Sequence, residues 1–155
     1  MRFTTVAIMA IASVAVSASS ITPVLAQSDP HFVGTPTCTV NETTNSITCR
    51  GEVAEAGTGG TATVTSTATV TSGCLNKGSN DPKGLETTTS QVTASEPFTT
   101  DQGRGTFTVS TQPITGPAQG FTCPSPNMIP VLVDVTFGPI TLTIAAQKGT
   151  LTETF

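Results

Sequence analysis

The sequence predicts an all-β chain, an antiparallel, immunoglobulin-like β-sandwich of about seven to eight strands cross-linked by two disulfides. Three observations carry this. Residues 60–72 (GTATVTSTATVTS) place Thr at every odd position from 61 to 71 and Ala, Val or Ser at every even one. That period of two, held over twelve residues, is incompatible with an amphipathic helix. Weaker alternating runs recur along the chain between clusters of Gly, Pro, Asn and Asp. Finally, all four cysteines follow an N-terminal export pattern, and an even count in an oxidising compartment reads as disulfides.

The export pattern comes first. Met1-Arg2-Phe3 supplies one positive charge, residues 6–16 (VAIMAIASVAV) are apolar, and Val24-Leu25-Ala26 ends a small-residue stretch. This is the layout of a secretory signal peptide, residues 1–26, cleaved before Gln27. Eleven apolar residues are too few to span a bilayer, which takes about twenty. Residues 27–155 then form a single secreted domain with no further membrane span. The whole chain carries −4; losing Arg2 leaves five basic against ten acidic groups, or −5. A scattered, acidic charge set excludes the basic footprint of a nucleic-acid binder. No Trp and no Tyr are present, which argues against sugar-stacking lectins and membrane barrels with aromatic girdles.

The next runs are 37–41 and 46–53. If they form a hairpin around Glu42-Thr43-Thr44-Asn45, Val40 falls opposite Ile47 and Cys38 opposite Cys49, with all four side chains on one face. The expected bridges are therefore Cys38–Cys49 and Cys74–Cys123. They are worth about 3 and about 4 kcal/mol by loop entropy. In 60–72 the even residues face inward and Thr faces water, and Cys74 continues the inward phase. Residues 85–94 alternate weakly. Residues 105–112 turn Phe107 and Val109 inward. In 131–137, Val131, Val133, Val135 and Phe137 are the expected inner set. Gly138-Pro139 then separates a run led by Ile140, Leu142 and Ile144, as a hairpin or bulge would. Residues 150–155 close the chain. A small closed barrel is the alternative topology.

Chemistry is sparse. His31 is the only histidine and lies near the mature N-terminus, with no G-x-S-x-G and no partner for a triad. Asp134 with Glu86, Glu96 or Asp101 could supply the carboxylate pair of a glycosidase. Asn80, Asp81 and Glu86 could offer oxygens to Ca²⁺, but no D-x-D-x-D-G loop is present, and Asn80-Asp81-Pro82 also opens a turn. Neither a metal nor a cofactor is called for. Asn41-Glu42-Thr43 is a glycosylation sequon at the hairpin tip. The Thr-x-Thr ladder resembles ice-binding faces, which need several Thr rows in register. Here one strand carries six Thr and the others two or three, and solvent-facing Thr on a strand is the plainer reading. The closing Phe155 is reminiscent of outer-membrane strands, but Glu153 would face lipid, which excludes that reading.

Three segments, PHFVGTPTCTVN (30–41), ITCRGEVAEAGTGG (47–60) and CPSPNM (123–128), resemble small exported bacterial proteins with four cysteines and an immunoglobulin-like sandwich. That resemblance implies no activity. A looser likeness is to the apoprotein carriers of enediyne chromophores, which are also small, acidic and rich in Thr, Ala and Gly. This chain departs from them in cysteine placement, since Cys74 and Cys123 lie 49 residues apart. The expected function is a non-enzymatic exported module acting by surface contact with an extracellular or envelope partner, in an envelope, matrix or adhesion setting. The alternative is a carrier of a small apolar ligand in a cleft lined by Phe98, Phe107, Phe121 and Met128. A hydrolase using a carboxylate pair is third.

Overall fold

The computed structural model describes residues 29–155; the expected leader, 1–26, lies outside them. Nine strands and no helix are present among the described residues. They are β1 (His31–Phe32), β2 (Thr37–Asn41), β3 (Ser46–Ala54), β4 (Gly59–Asn76), β5 (Lys83–Thr99), β6 (Gly105–Ser110), β7 (Met128–Phe137), β8 (Thr141–Ala146) and β9 (Gly149–Thr154). Two antiparallel sheets pack as a sandwich. In the smaller sheet, β3 pairs with β6 on one edge and with β2 and β1, end to end, on the other. In the larger, β4 pairs with β5 on one edge and with β7 and β8 on the other, and β9 adds outside β8.

One long hairpin builds most of this. The register of β3 on β6 runs from Thr48↔Ser110 to Val53↔Gly105. That of β4 on β5 runs from Gly59↔Thr99 to Ser72↔Glu86. Both follow a single pairing rule, so residues 48–72 and 86–110 are two arms of one ribbon folded over on itself. The fold lies at 55–58 on one arm and 100–104 on the other. Here the backbone turns left-handed, with φ of 58° at Glu55 and 85° at Gly57 on one arm, and 49° at Gln102 and 80° at Gly103 on the other. A Cβ on Gly57 would also meet Gln147 Oε1 at 2.5 Å, so Gly is required there. Hydrogen bonds tie the corner. Ala56 N–H donates to Gly103 O (3.1 Å), Thr58 N–H to Gln147 Oε1 (3.1 Å), and Thr100 Oγ1 to Gly57 O (2.5 Å).

The inner lining follows the alternation. Ala62, Val64 and Ala68 are fully buried, Val70 nearly so, while the Thr between them stay solvent-accessible. Ala62 and Val64 pack against Ile47, Cys49, Val53, Phe107 and Val109 from the smaller sheet and Leu142 and Ile144 from β8. The smaller sheet covers only the half of β4 nearest the corner. Over the other half lies the irregular segment 111–127, which leaves the end of β6 and crosses the inner face. Ser72, fully buried, accepts a hydrogen bond from Ala118 N–H (2.8 Å), and Cys74 is bonded to Cys123. Buried Thr111 bonds Ile47 twice, accepting its N–H at Oγ1 and donating its own N–H to the carbonyl, each at 2.9 Å. These bonds satisfy polar groups that would otherwise cost about 1–3 kcal/mol each.

The expected hairpin of Val40 on Ile47 and the bridge Cys38–Cys49 are both present, as is Cys74–Cys123. Three expectations are corrected. Val40 is 43% exposed, because β2 is an edge strand with nothing stacked over that end. Val133 is exposed rather than inward. It is the extra residue of a β-bulge opposite Thr71 and Ser72, which inverts the phase, so Leu132 sits on the inner side opposite Ser72. Gly138-Pro139 is not a hairpin. β7 and β8 lie in line along the same edge of β4, and Gly138 N–H donates to Thr67 O (2.8 Å) across the irregularity.

Burial sets the expected response to mutation. Leu142→Ala should lower the unfolding free energy by about 2–5 kcal/mol. Val133→Ala should change it by no more than about 0.5 kcal/mol. Urea titration followed by far-UV circular dichroism measures both, and a large loss at Val133 would contradict the bulged register.

Candidate functional site

Strand pairing stacks side chains as surely as it bonds backbones. Directly opposed residues share a face, so the registers of the larger sheet say which side chains form rows. On the outer face the row through Thr65 is Thr93, Thr65, Thr141 and Thr154. The next is Ser95, Thr63, Thr143 and Thr152, and beyond it Thr61 lies with Ala145 and Thr150. In the other direction Thr67 is beside Gln91, Thr69 lies between Thr89 and Thr136, and Thr71 lies between Thr87 and Asp134. Fifteen Thr share this face.

The centre of the array is a block of eight hydroxyls, two rows deep and four strands wide. Their backbone positions stand about 4.8 Å apart across strands and about 6.7 Å apart along them, and the hydroxyls of β4 and β5 reach across that gap to one another. Thr63 and Ser95 share a hydrogen bond of 2.8 Å, and Thr93 donates to Thr65 at 3.5 Å. No charged side chain stands in the block; Asp134 is three rows away, about 20 Å. Behind it lie Ala62, Val64, Leu142 and Ile144, all fully buried. The β-branched side chains are stiff at χ1, so the array is held both by its backing and by its own rotamers.

The residues singled out from the sequence are not gathered in one place. Phe98 and Phe107 are buried in the core near the corner, ring centroids 6.3 Å apart. Phe121 and Met128 sit beside the Cys74–Cys123 bridge. Phe98 pairs with Gly60 and Met128 with Asn76, so the two groups are roughly 50 Å apart along β4. Glu86 and Glu96 project on the inner side of β5, roughly 33 Å apart, while Asp134 is on the outer face. Asp101 is in the corner, bridged to Arg104, whose Nε donates to Glu52 Oε1 (3.0 Å). Asp81 engages Lys83. Asn41 Oδ1 accepts the N–H groups of Thr43 and Thr44 (3.0 and 3.1 Å), and exposed His31 lies on β1. Among the described residues no cluster of three His, Cys, Asp or Glu is placed to hold a metal.

A groove of about 410 Å³ lies where 114–119 crosses the inner face beside β5. Its walls include Val70, Val92, Ile114 and Pro117 with Thr88 and Ser90, and no charged residue lines it. Sequence reasoning missed the groove, and it weighed the Thr ladder of β4 but set it aside for want of rows in register. The groove depends on a loop path that no pattern encodes. The array was encoded, because Thr87, Thr89 and Thr93, Thr141 and Thr143, and Thr150, Thr152 and Thr154 all keep the Thr-x-Thr parity of β4. Only the registers turn those short runs into rows. The chain matches no family model, and no curated protein or solved structure is significantly similar to it.

Proposed function

We propose that the protein is an exported, non-enzymatic contact module whose working surface is the outer threonine face of the larger sheet. The observation that carries this is the charge-free block of seven Thr and one Ser, aligned across four strands and backed by fully buried side chains. Such a face presents many equivalent, weak donors and acceptors. It suits an extended, uncharged, hydroxylated partner surface better than a point ligand. The N-terminal leader pattern and the two disulfides support export to an oxidising, extracytoplasmic setting, secreted or at the envelope. The immunoglobulin-like comparison belongs to the same reading.

The surface reading is tested by adsorption isotherms on hydroxylated solids, namely silica, crystalline cellulose and ice. Wild-type protein should be retained on at least one. The double variant Thr65→Lys/Thr143→Lys should lose tenfold or more in affinity while its melting temperature stays within a few degrees. Retention that the double variant leaves untouched, or no retention on any solid, removes the proposal. Export is tested separately. N-terminal sequencing of protein recovered outside an expressing cell should begin at Gln27, and an intact Met1 there would refute the leader.

The uncharged groove beside β5 favours a second reading, carriage of a small apolar molecule. Titration with an uncharged solvatochromic dye should then saturate at one site, and Ile114→Lys should abolish the signal. A linear, unsaturable response would end this reading.

A further inference from the structure

The larger sheet has one long open edge. β5 runs from Lys83 to Thr99, pairs with β4 on one side and pairs with no described strand on the other. Antiparallel pairs alternate between those that exchange backbone hydrogen bonds and those that do not. Thr100 N–H donates to Thr58 O (3.3 Å), in step with the β4–β5 register, so the bonded pairs are the even-numbered ones, down to Ser72 with Glu86. The odd residues Thr87, Thr89, Gln91, Thr93 and Ser95 therefore aim their N–H and C=O groups at the open edge. No loop bond reaches these groups, and all of these residues are exposed. Pro97 has the same parity, so its missing N–H also faces outward.

Open edges are usually guarded by brevity, Pro, a bulge or a charge. The other edges among the described strands follow that rule. β2, β6 and β9 are five or six residues long, and β9 carries Glu153. β7 holds Pro130, the bulge at Val133 and Asp134. In β5, residues 87–95 (TTTSQVTAS) contain no charge, Pro, Gly or bulge. Its charges stand at the ends, Lys83 and Glu86 at one and Glu96 at the other.

This pattern fits the strand to a copy of itself turned end for end. Opposed residues share a face, so a two-fold pairing has to centre on a residue. Centred on Gln91, it would set Glu86 against Glu96 of the second copy at both ends. Centred on Ser90, it opposes Glu86 to Ala94 and brings Glu96 beside Gly84, next to Lys83. Thr87 then bonds Thr93 and Thr89 bonds Gln91, each twice over by symmetry, for about eight backbone hydrogen bonds.

We propose that the occupant of this edge is β5 of a second copy, paired antiparallel about a two-fold axis at Ser90. The axis stands normal to the sheet, so the threonine faces of both copies lie on the same side of one continuous sheet. The pairing does not depend on what that face contacts.

Sedimentation velocity of the disulfide-intact protein over about 1–500 µM should show monomer giving way to dimer, as mass action requires. Amide exchange followed by NMR should slow at Thr87, Thr89, Gln91 and Thr93 as concentration rises. Their even-numbered neighbours, already bonded to β4, should be slow throughout. Gln91→Pro removes an edge N–H without touching the β4 ladder and should leave a monomer. Ser90→Lys sets two ammonium groups close together across the axis and should weaken the dimer by about tenfold or more. Ser90→Glu should do the same, and an equimolar mixture of the two should recover a heterodimer. Melting temperatures within a few degrees of wild type show that the variants are folded, and the Lys/Glu mixture decides the matter if the Pro variant is not. A monomer at every concentration overturns the inference, as does a dimer that Ser90→Lys leaves intact. Dimerisation without protection of the odd-numbered amides puts the contact elsewhere and overturns it too.

Discussion

The structure depends on one constraint, the continuity of register through a folded ribbon. Residues 48–72 and 86–110 keep a single pairing rule on both sides of the corner. Folding the ribbon turns one of its faces inward on both halves, so a single hairpin makes the centre of both sheets and the wall between them. The corner has to permit this without tearing the ladder, and it does so through left-handed residues on both arms and hydrogen bonds that tie the arms to each other and the first arm to Gln147. The inward parity changes there, from Ile47, Cys49 and Val53 to Ala62, Val64 and Ala68. The unequal arms follow from the same rule. The β4–β5 half is longer than the β3–β6 half, so the far inner face needs another cover. Segment 111–127 provides it because β6 ends there, with Ser72 and the Cys74–Cys123 bridge as its anchors.

This explains what could be read from the chain. Strand content, the two bridges and the Val40–Ile47 hairpin were legible because they rest on local parity and spacing. The inner faces of β4, β6 and β8 were legible for the same reason. Val133 was not, since a bulge adds a residue without a Gly or Pro to mark it, and everything before it changes face. Pro130 and Pro97 lie within strands whose outer edges are unpaired, where a missing N–H is tolerated, so Pro was no barrier to strand extension there. The collinearity of β7 and β8 was also hidden. Gly138-Pro139 suits a hairpin and a bulge equally, and only pairing with a common neighbour, β4, decides between them.

The candidate surface shows the same division. Each Thr was visible, but a Thr-x-Thr run on one strand has one dimension. The second dimension comes from long-range pairing of β5, β8 and β9 around β4, whose partners lie up to 86 residues apart in sequence (Gly60 and Ala146). In the reverse sense, the four residues grouped for a ligand cleft, Phe98, Phe107, Phe121 and Met128, were joined by residue type alone, and distance along the sheet separates them.

Thr is an economical residue for such a surface. Its branched Cβ favours the strand and restricts the rotamer, so little order remains to be lost when the face meets a partner. Ala, Val and Ser behind it are small, so the inner lining of β4 is thin and even, with bulk supplied from across the core by Ile47 and Phe107 and from beside it by Leu142 and Ile144. The cost of small side chains is a modest core, and the two disulfides offset it by restricting the unfolded chain. They also clamp β2 to β3 and the cover segment to β4. The spacing of the Cα positions beneath the hydroxyls is a backbone property, fixed by strand separation and residue rise, while the rotamers set where each hydroxyl stands, as the 2.8 Å bond of Thr63 with Ser95 shows. Recognition of a repeating surface by this face would therefore follow from register itself, and shifting one strand by a single residue would turn its Thr inward and erase its column.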